Sequence, residues 1–82
     1  GVYTTQATLD GEPIYRVYHN KNGAWQFHSE EYPQIENSRI VPLEDLVERD
    51  PSLNEIHYLS YGEYAIRKDI YSGWKIYKDE EE

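Results

Sequence analysis

Three histidines, His19, His28 and His57, are the side chains of this 82-residue sequence best suited to metal binding or proton transfer. No H-E-x-x-H motif, cysteine–histidine spacing or Asp-x-Asp loop accompanies them. Nothing in their spacing requires the three rings to meet. We therefore expect ordinary surface or half-buried histidines, and a protein that binds no metal and no cofactor.

Two pairs of adjacent carboxylates, Glu30-Glu31 and Glu44-Asp45, are the other groups with acid–base chemistry. Neighbouring residues do not face each other along a helix or a strand, so neither pair is arranged for general acid–base catalysis. The five serines lack the glycine-flanked elbow of a hydrolase nucleophile. The sequence therefore predicts that the protein is not an enzyme.

The charge of the chain is acidic and unevenly distributed. The formal net charge is −8, and residues 30–63 hold nine acidic residues against two arginines. Residues 64–78 have the opposite balance, with four basic residues and one aspartate. An acidic surface repels nucleic acid and attracts basic proteins, so we expect a basic protein partner and no nucleic acid. The alternative is that the acidity only maintains solubility.

Tyrosine is frequent in this chain, with nine residues against one phenylalanine. Tyrosine is enriched at the energetically important positions of protein interfaces, whereas in a thin core it replaces phenylalanine. Tyr15 and Tyr64 lie on apolar-patterned segments and are candidates for the core, while Tyr58 and Tyr61 follow the acidic segment. The predicted protein-binding surface comprises Glu44, Asp45, Glu48, Glu55, Tyr58 and Tyr61.

The elements that position these residues centre on one helical segment. An apolar i, i+3, i+4 pattern begins at Leu43, directly after a proline that suits a first helical turn. Asp50 interrupts the pattern, because a residue before proline avoids the helical conformation and an aspartate caps a new turn. The sequence therefore predicts two short helices, at about 42–50 and 51–58.

The rest of the chain has the composition of strands and turns. Asn22-Gly23 is typical of a tight hairpin, and residues 8–18 are expected to form an earlier hairpin. The predicted fold class is α+β, with an antiparallel sheet of about five strands and the two helices packed on one face. Residues 1–78 form one domain, followed by an acidic tail at 79–82.

The apolar spacing of the helices and the alternation along the strands predict the core, and the position of Arg67 predicts one ion pair. Arg67 follows a strand and is expected to form a structural ion pair with an acid of the helices. The predicted core comprises Trp25, Phe27, Leu43, Leu46, Val47, Leu53, Ile56, Ile66, Trp74 and Ile76.

Four segments resemble a known family: GAWQF at 23–27, IVPLEDL at 40–46, DPSL at 50–53 and GEYAIR at 62–67. With them the chain resembles a family of small bacterial domains grouped with candidate immunity proteins of polymorphic toxin systems. The resemblance covers residues 14–77 and provides no catalytic residues.

The resemblance implies a non-enzymatic domain that binds and neutralises a cognate toxin. The alternative is a small-molecule-binding or regulatory domain that uses the cleft between helix and sheet. The absence of cysteine, of a signal peptide and of a long apolar run favours a cytoplasmic location without a membrane partner.

Overall fold

Six short strands form one mixed sheet in the computed structural model, which describes residues 1–79. The strands are Val2–Thr5 (β1), Arg16–His19 (β2), Trp25–His28 (β3), Ser38–Val41 (β4), Glu63–Ile66 (β5) and Lys75–Lys78 (β6). The helices are Gln6–Leu9 (α1) and Leu43–Arg49 (α2), with 3₁₀ helices at Ile35–Asn37 and Pro51–Ile56. From residue 80 onward, the predicted acidic tail lies outside the described residues. Within residues 1–79, no helix has the length and apolar character needed to cross a bilayer.

The sheet has the strand order β4-β1-β3-β2-β5-β6. Strands β1 and β3 run parallel, and the other four neighbouring pairs are antiparallel. The predicted α+β class is confirmed. The sheet has one strand more than predicted, and it is mixed where an antiparallel sheet was expected.

The hairpin predicted over residues 8–18 is wrong, because a helical turn follows β1. The Thr5 side chain caps α1 by accepting a hydrogen bond from the Thr8 amide at 3.4 Å. This cap satisfies an amide that a first helical turn leaves unpaired. Strand β1 therefore does not fold back onto β2. It lies between β3 and β4, where Tyr3 is in register with Gln26 and Ile40.

The two predicted short helices are confirmed as α2 and the 3₁₀ helix Pro51–Ile56. Asp50 lies between them with φ −138° and ψ 87°, outside the helical region. Its Oδ1 accepts a hydrogen bond from the Ser52 amide at 3.1 Å, so Asp50 caps the second helix as predicted. Pro51 occupies the first position of that helix, where a missing amide removes no hydrogen bond.

The core lies between these two helices and one face of the sheet, which we call the helical face. Val17, Phe27 and Ala65 are in register on this face, and all three are buried. Partly buried Trp25, Val41, Val47 and Trp74 pack against the core. The buried apolar residues are Val2, Ile14, Val17, Phe27, Leu46, Leu53, Ile56, Leu59 and Ala65.

Three residues predicted to lie in the core are outside it. Leu43 is the first residue of α2 and remains 41% exposed. Ile76 is in register with Ala65, but it lies on the edge strand β6 and remains 39% exposed. Ile66 is one residue out of phase with Ala65, so its side chain lies on the opposite face of the sheet.

Candidate protein-interaction surfaces

The acidic residues of the predicted binding surface all lie on the outside of the helical layer. Tyr58 follows the second helix, remains 64% exposed and contacts the ring of His57 edge-on, with 5.8 Å between centroids. The structure therefore brings a set of exposed carboxylates and one aromatic ring to the same layer. We name this set the acidic helical surface: Glu44, Asp45 and Glu48 of α2, Glu55 of the 3₁₀ helix, and Tyr58, all of them exposed.

Tyr61, the sixth predicted residue, packs against the end of the β2–β3 hairpin. Its ring centroid lies 4.8 Å from that of His19, which stacks on Trp25 at 4.0 Å. His19 Nδ1 also lies 2.8 Å from the carbonyl oxygen of Leu59. This stack connects the segment after the second helix to the sheet, while Tyr61 itself remains 67% exposed.

An apolar cleft of about 150 Å³ opens between α2, the second helix and the helical face of the sheet. The residues flanking the cleft alternate with the acids, since Glu44 follows Leu43, Glu48 follows Val47 and Glu55 precedes Ile56. Its lining comprises Trp25, Phe27, Leu43, Val47, Leu53, Asn54, Ile56 and His57. The sequence identified most of these residues as core, but not that their packing leaves an opening.

The polar groups at this cleft are engaged within the second helix. Asn54 Nδ2 donates a hydrogen bond to the carbonyl of Pro51 at 3.1 Å. His57 Nδ1 lies 2.8 Å from the carbonyl oxygen of Asn54. The cleft therefore presents mainly apolar surface, without the converging polar groups that orient a small-molecule ligand.

A buried arginine holds the junction of the two helices against the sheet. Arg67 is 5% exposed, and its Nη2 lies 2.6 Å from Asp50 Oδ2, which confirms the predicted ion pair. Its Nη1 donates to Ser52 Oγ and its Nε to the carbonyl of Ile14, both at 2.9 Å. Its guanidinium lies 4.3 Å from the ring centroid of Trp74. Each of the three guanidinium nitrogens thus has an internal partner, as expected for a structural ion pair.

The three histidines lie at separate places. His19 and His57 have the contacts described above, and His28 stacks on Tyr18 with 5.3 Å between centroids. Burial lowers the pKa of His28 from its ordinary value, against the opposing effect of a hydrogen bond to the carbonyl of Glu30. Within residues 1–79, no three histidine or carboxylate side chains come together as a metal site.

The sheet face opposite the core, which we call the open face, carries a row of tyrosines. Tyr18, Tyr64 and Tyr77 are in register on β2, β5 and β6, and their rings stack with centroid distances of 5.1 and 5.5 Å. We call these three residues the tyrosine row. Gln26 and Tyr3 extend it across β3 and β1. Tyr18 Oη accepts a hydrogen bond from Arg16 Nη1 at 3.2 Å.

The tyrosine row was not predicted from the sequence, and Tyr64 was assigned to the core. The available signal was the alternation of each tyrosine with a buried neighbour, as in Val17-Tyr18 and Tyr64-Ala65. That alternation shows that one face is buried, but only the strand register shows that the tyrosines meet. Tyr15, the other core candidate, is half-buried.

No protein-family model, curated protein or solved structure matches this chain. The resemblance to a family of small bacterial domains grouped with candidate immunity proteins therefore stays a prediction, and the functional argument depends on the surfaces described above.

Proposed function

We propose that this domain is a non-enzymatic protein-interaction module that binds a basic protein segment on the acidic helical surface. The observation that carries the proposal is the apolar cleft, whose lining residues Leu43, Val47 and Ile56 each have an exposed glutamate as a sequence neighbour. The side chains of Asn54 and His57 in its lining are hydrogen-bonded within the second helix. Such a combination suits an apolar side chain of a partner whose surrounding residues are positively charged.

The size of the cleft supports a single anchoring side chain. A cavity of about 150 Å³ accommodates one benzene-sized group, and the cleft has about this volume. Leu43 and Val47 form one wall, and Leu53 and Ile56 belong to the other helix. Burial of one leucine or phenylalanine of the partner would contribute roughly 1.5–3 kcal/mol before the entropic cost of association.

The surrounding carboxylates are expected to act on the rate of association. Glu44, Glu48 and Glu55 are exposed, so each contributes little to the affinity but adds to the field that attracts a basic partner. Tyr58 extends the same surface with an aromatic ring suited to a partially desolvated contact. Association should therefore depend on salt, whereas dissociation should depend on the anchor in the cleft.

The biological role that we propose for this binding is that of an immunity protein, which binds and blocks a cognate toxin. This part of the proposal rests on the resemblance of residues 14–77 to a family grouped with candidate immunity proteins, together with the acidic helical surface. It requires that a protein encoded beside this domain is toxic alone and harmless when the domain is co-expressed. A set of neighbouring reading frames that contains no such protein would contradict the immunity role.

The binding mode can be tested by NMR titration with a lysine-rich peptide that contains one leucine. We expect chemical-shift changes at Leu43, Val47, Leu53 and Ile56, and much weaker changes when the leucine of the peptide is replaced by alanine. A glutamate-rich peptide with the same leucine should not bind. Equal binding of the lysine-rich and the glutamate-rich peptide would contradict the proposal. It would also be contradicted if benzene bound in the cleft but the lysine-rich peptide did not.

The charge contribution can be tested with two double variants that change the net charge equally. Glu44→Lys with Glu48→Lys should slow peptide association and flatten its salt dependence. The matched control is Glu12→Lys with Glu36→Lys, because both carboxylates are exposed and lie outside the acidic helical surface. If the two double variants behave alike, the overall charge acts on binding and this surface does not.

A further inference from the structure

A cavity of about 290 Å³ opens on the open face of the sheet, where β5 ends and β6 begins. Lys75 of β6 is in register with Ile66 of β5, and Tyr77 lies two residues further along β6 on the same face. The loop that connects the two strands contributes the rest of the lining. We call this site the basic cavity, and its lining comprises Ile66, Lys75 and Tyr77 of the strands and Arg67, Lys68, Ser72 and Gly73 of the loop.

The described lining of the basic cavity contains three basic side chains and no carboxylate. Arg67 is neutralised by Asp50, with 2.6 Å between Nη2 and Oδ2. Lys68 and Lys75 are exposed, and neither forms a salt bridge with another residue of the range 1–79. The cavity therefore offers two ammonium groups to a ligand, although the chain as a whole has a net charge of −8.

One carboxylate lies in the loop beside the basic cavity. Asp69 follows Lys68, and its Oδ1 accepts hydrogen bonds from the Tyr71 amide and the Ser72 hydroxyl, both at 2.9 Å. These bonds hold the carboxylate within the loop, and Asp69 does not belong to the lining of the cavity. It offsets at most one of the two lysines, so the loop and the strands together leave a net positive charge.

Two further carboxylates near the open face act elsewhere. Glu31 pairs with Arg16 at 3.5 Å. Arg16 is in register with Ile66, so this pair borders the basic cavity without adding net charge. Asp79 lies past the far end of β6 and lines a different cavity, together with Lys21. The basic cavity is therefore a place on the open face where positive charge is in excess.

The tyrosine row ends at the basic cavity with a ring that has one uncovered face. Tyr77 stacks on Tyr64 with 5.5 Å between centroids and an interplanar angle of 23°. Strand β6 is an edge strand, so the sheet leaves the outer face of this ring uncovered, and Tyr77 remains 44% exposed. An aromatic ring with an accessible face is a stacking platform for a further planar group, and every nucleobase has such a face.

We propose that the basic cavity binds a mononucleotide, whose phosphate lies between Lys68 and Lys75 and whose base stacks on Tyr77. Lys75 and Tyr77 are two residues apart on one face of a strand, a separation of about 6.6 Å. The ribose of a nucleotide separates its base from its phosphate by a similar distance. The space beside Gly73 is open, since a Cβ at this position would meet no atom within 4 Å, so the phosphate can approach the main chain.

The size of the basic cavity and the charge of the chain favour a single nucleotide over a nucleic-acid strand. Small-molecule sites have volumes of roughly 300–1,000 Å³, so a cavity of about 290 Å³ suits one small ligand. A strand would place its further phosphates over the rest of an acidic chain, which repels them. A single phosphate is attracted by the two lysines, since salt screens charges that are farther away than about 8 Å.

NMR titration of the full chain with AMP, adenosine and inorganic phosphate tests the proposal. AMP should shift the amide signals of Ile66, Gly73 and Tyr77. Adenosine and phosphate should each bind at least about fivefold more weakly, because one lacks the charge and the other lacks the base that stacks. The acidic helical surface lies on the other side of the sheet, so the result does not depend on the function proposed above.

Variants of the basic cavity remove the two contacts separately. Lys75→Gln should weaken AMP binding about fivefold or more and leave the binding of adenosine unchanged. Tyr77→Leu should weaken the binding of AMP and of adenosine by a similar factor, whereas Tyr77→Phe keeps the ring and should bind AMP within about twofold of the wild type. Lys78→Gln is the matched control, because Lys78 lies on the same strand but on the other face of the sheet.

Circular dichroism of each variant verifies that the fold is retained. The proposal is overturned if inorganic phosphate binds as tightly as AMP, or if Lys75→Gln and Lys78→Gln weaken AMP binding equally. An absence of shifts at millimolar AMP would also overturn it. A phosphotyrosine peptide or an oligoadenylate that binds more tightly than AMP would contradict it as well, since the occupant would then be a macromolecule.

Discussion

The helical face and the open face are built from the same six strands, but they use different side chains. The helical face presents Val17 and Ala65 to the helices, and both are fully buried. The open face presents Tyr18 and Tyr64 from the neighbouring positions, and both are only partly buried. Strands β2 and β5 thus alternate an aliphatic residue with a tyrosine, and the covering of one face by helices decides which residue is buried.

This difference explains part of the high tyrosine content. A sheet covered on one side needs residues that stabilise the strand on its uncovered side without becoming fully desolvated. Tyrosine suits that position, because its ring packs against neighbours while its hydroxyl remains in contact with water. Four of the nine tyrosines, Tyr3, Tyr18, Tyr64 and Tyr77, lie on the open face, and only Tyr58 belongs to the acidic helical surface.

The largest effect should separate the two faces by their contribution to stability. Leu46→Ala removes a side chain that is 2% exposed at the centre of the helical layer. The free energy of unfolding should fall by about 2–4 kcal/mol, a large fraction of what so small a domain has. Tyr77→Ala, on the exposed edge of the open face, should cost about 1 kcal/mol, mainly its stacking with Tyr64.

Urea denaturation followed by circular dichroism measures both values. Leu43→Ala is a second control, because Leu43 belongs to the same helix as Leu46 but is largely exposed. Similar losses for Leu46→Ala and Leu43→Ala would show that the helical layer does not pack as described.

The next largest effect concerns the junction that attaches the helical layer to the sheet. Asp50→Ala removes the cap of the second helix and leaves buried Arg67 without its carboxylate. We expect a loss of about 2–3 kcal/mol, which exceeds the cost of a lost cap alone. Glu48→Ala, in the exposed part of α2, should be nearly neutral.

A variant with both Asp50→Ala and Arg67→Leu separates the two contributions to this loss. Because it no longer leaves a charge buried, it should recover part of the stability lost in Asp50→Ala. If the double variant is as unstable as the sum of the single variants, Arg67 and Asp50 are not coupled.

Much of the helical layer could be predicted from local signals. Asp50-Pro51 indicated the break between the helices, and Asn22-Gly23 indicated the hairpin of β2 and β3, where Gly23 has the φ of 95° that glycine permits. These signals act within a few residues of the structure that they determine. Five of the six residues of the predicted protein-binding surface accordingly lie on the helical layer, and Tyr61 is the exception.

The open face could not be predicted in the same way, because it depends on pairing between distant segments. The position of β1 beside β3 rests on the register of Tyr3 with Gln26, which no local pattern specifies. Similarly, the tyrosine row requires residues from β2, β5 and β6 to align across the sheet. The apolar cleft was missed for a related reason, since periodicity identifies apolar residues but not the gaps between them.

The smallest predicted effect concerns pH and the open face. His28 lies on this face beside Tyr18, and burial lowers its pKa from the ordinary value of 6.5. Glu30 acts in the opposite direction, while Arg16, which is in register with His28 and paired with Glu31, lowers the pKa further. In the unfolded chain this histidine takes up a proton at a higher pH than in the folded protein.

The unfolded state therefore binds more protons once the pH falls below about 6.5, and the free energy of unfolding should decrease from there toward lower pH. Above about pH 7.5 both states are neutral at this position, and the effect disappears.

Urea denaturation at pH 7.5 and 5.5 should show a smaller decrease in the free energy of unfolding for His28→Gln than for the wild type. His57→Gln, at an exposed position, is the control and should keep the wild-type slope. The reduction of the overall negative charge at low pH affects all three proteins alike, so the difference between their slopes isolates His28. Equal slopes for His28→Gln and the wild type would show that the open face does not hold this histidine in its neutral form.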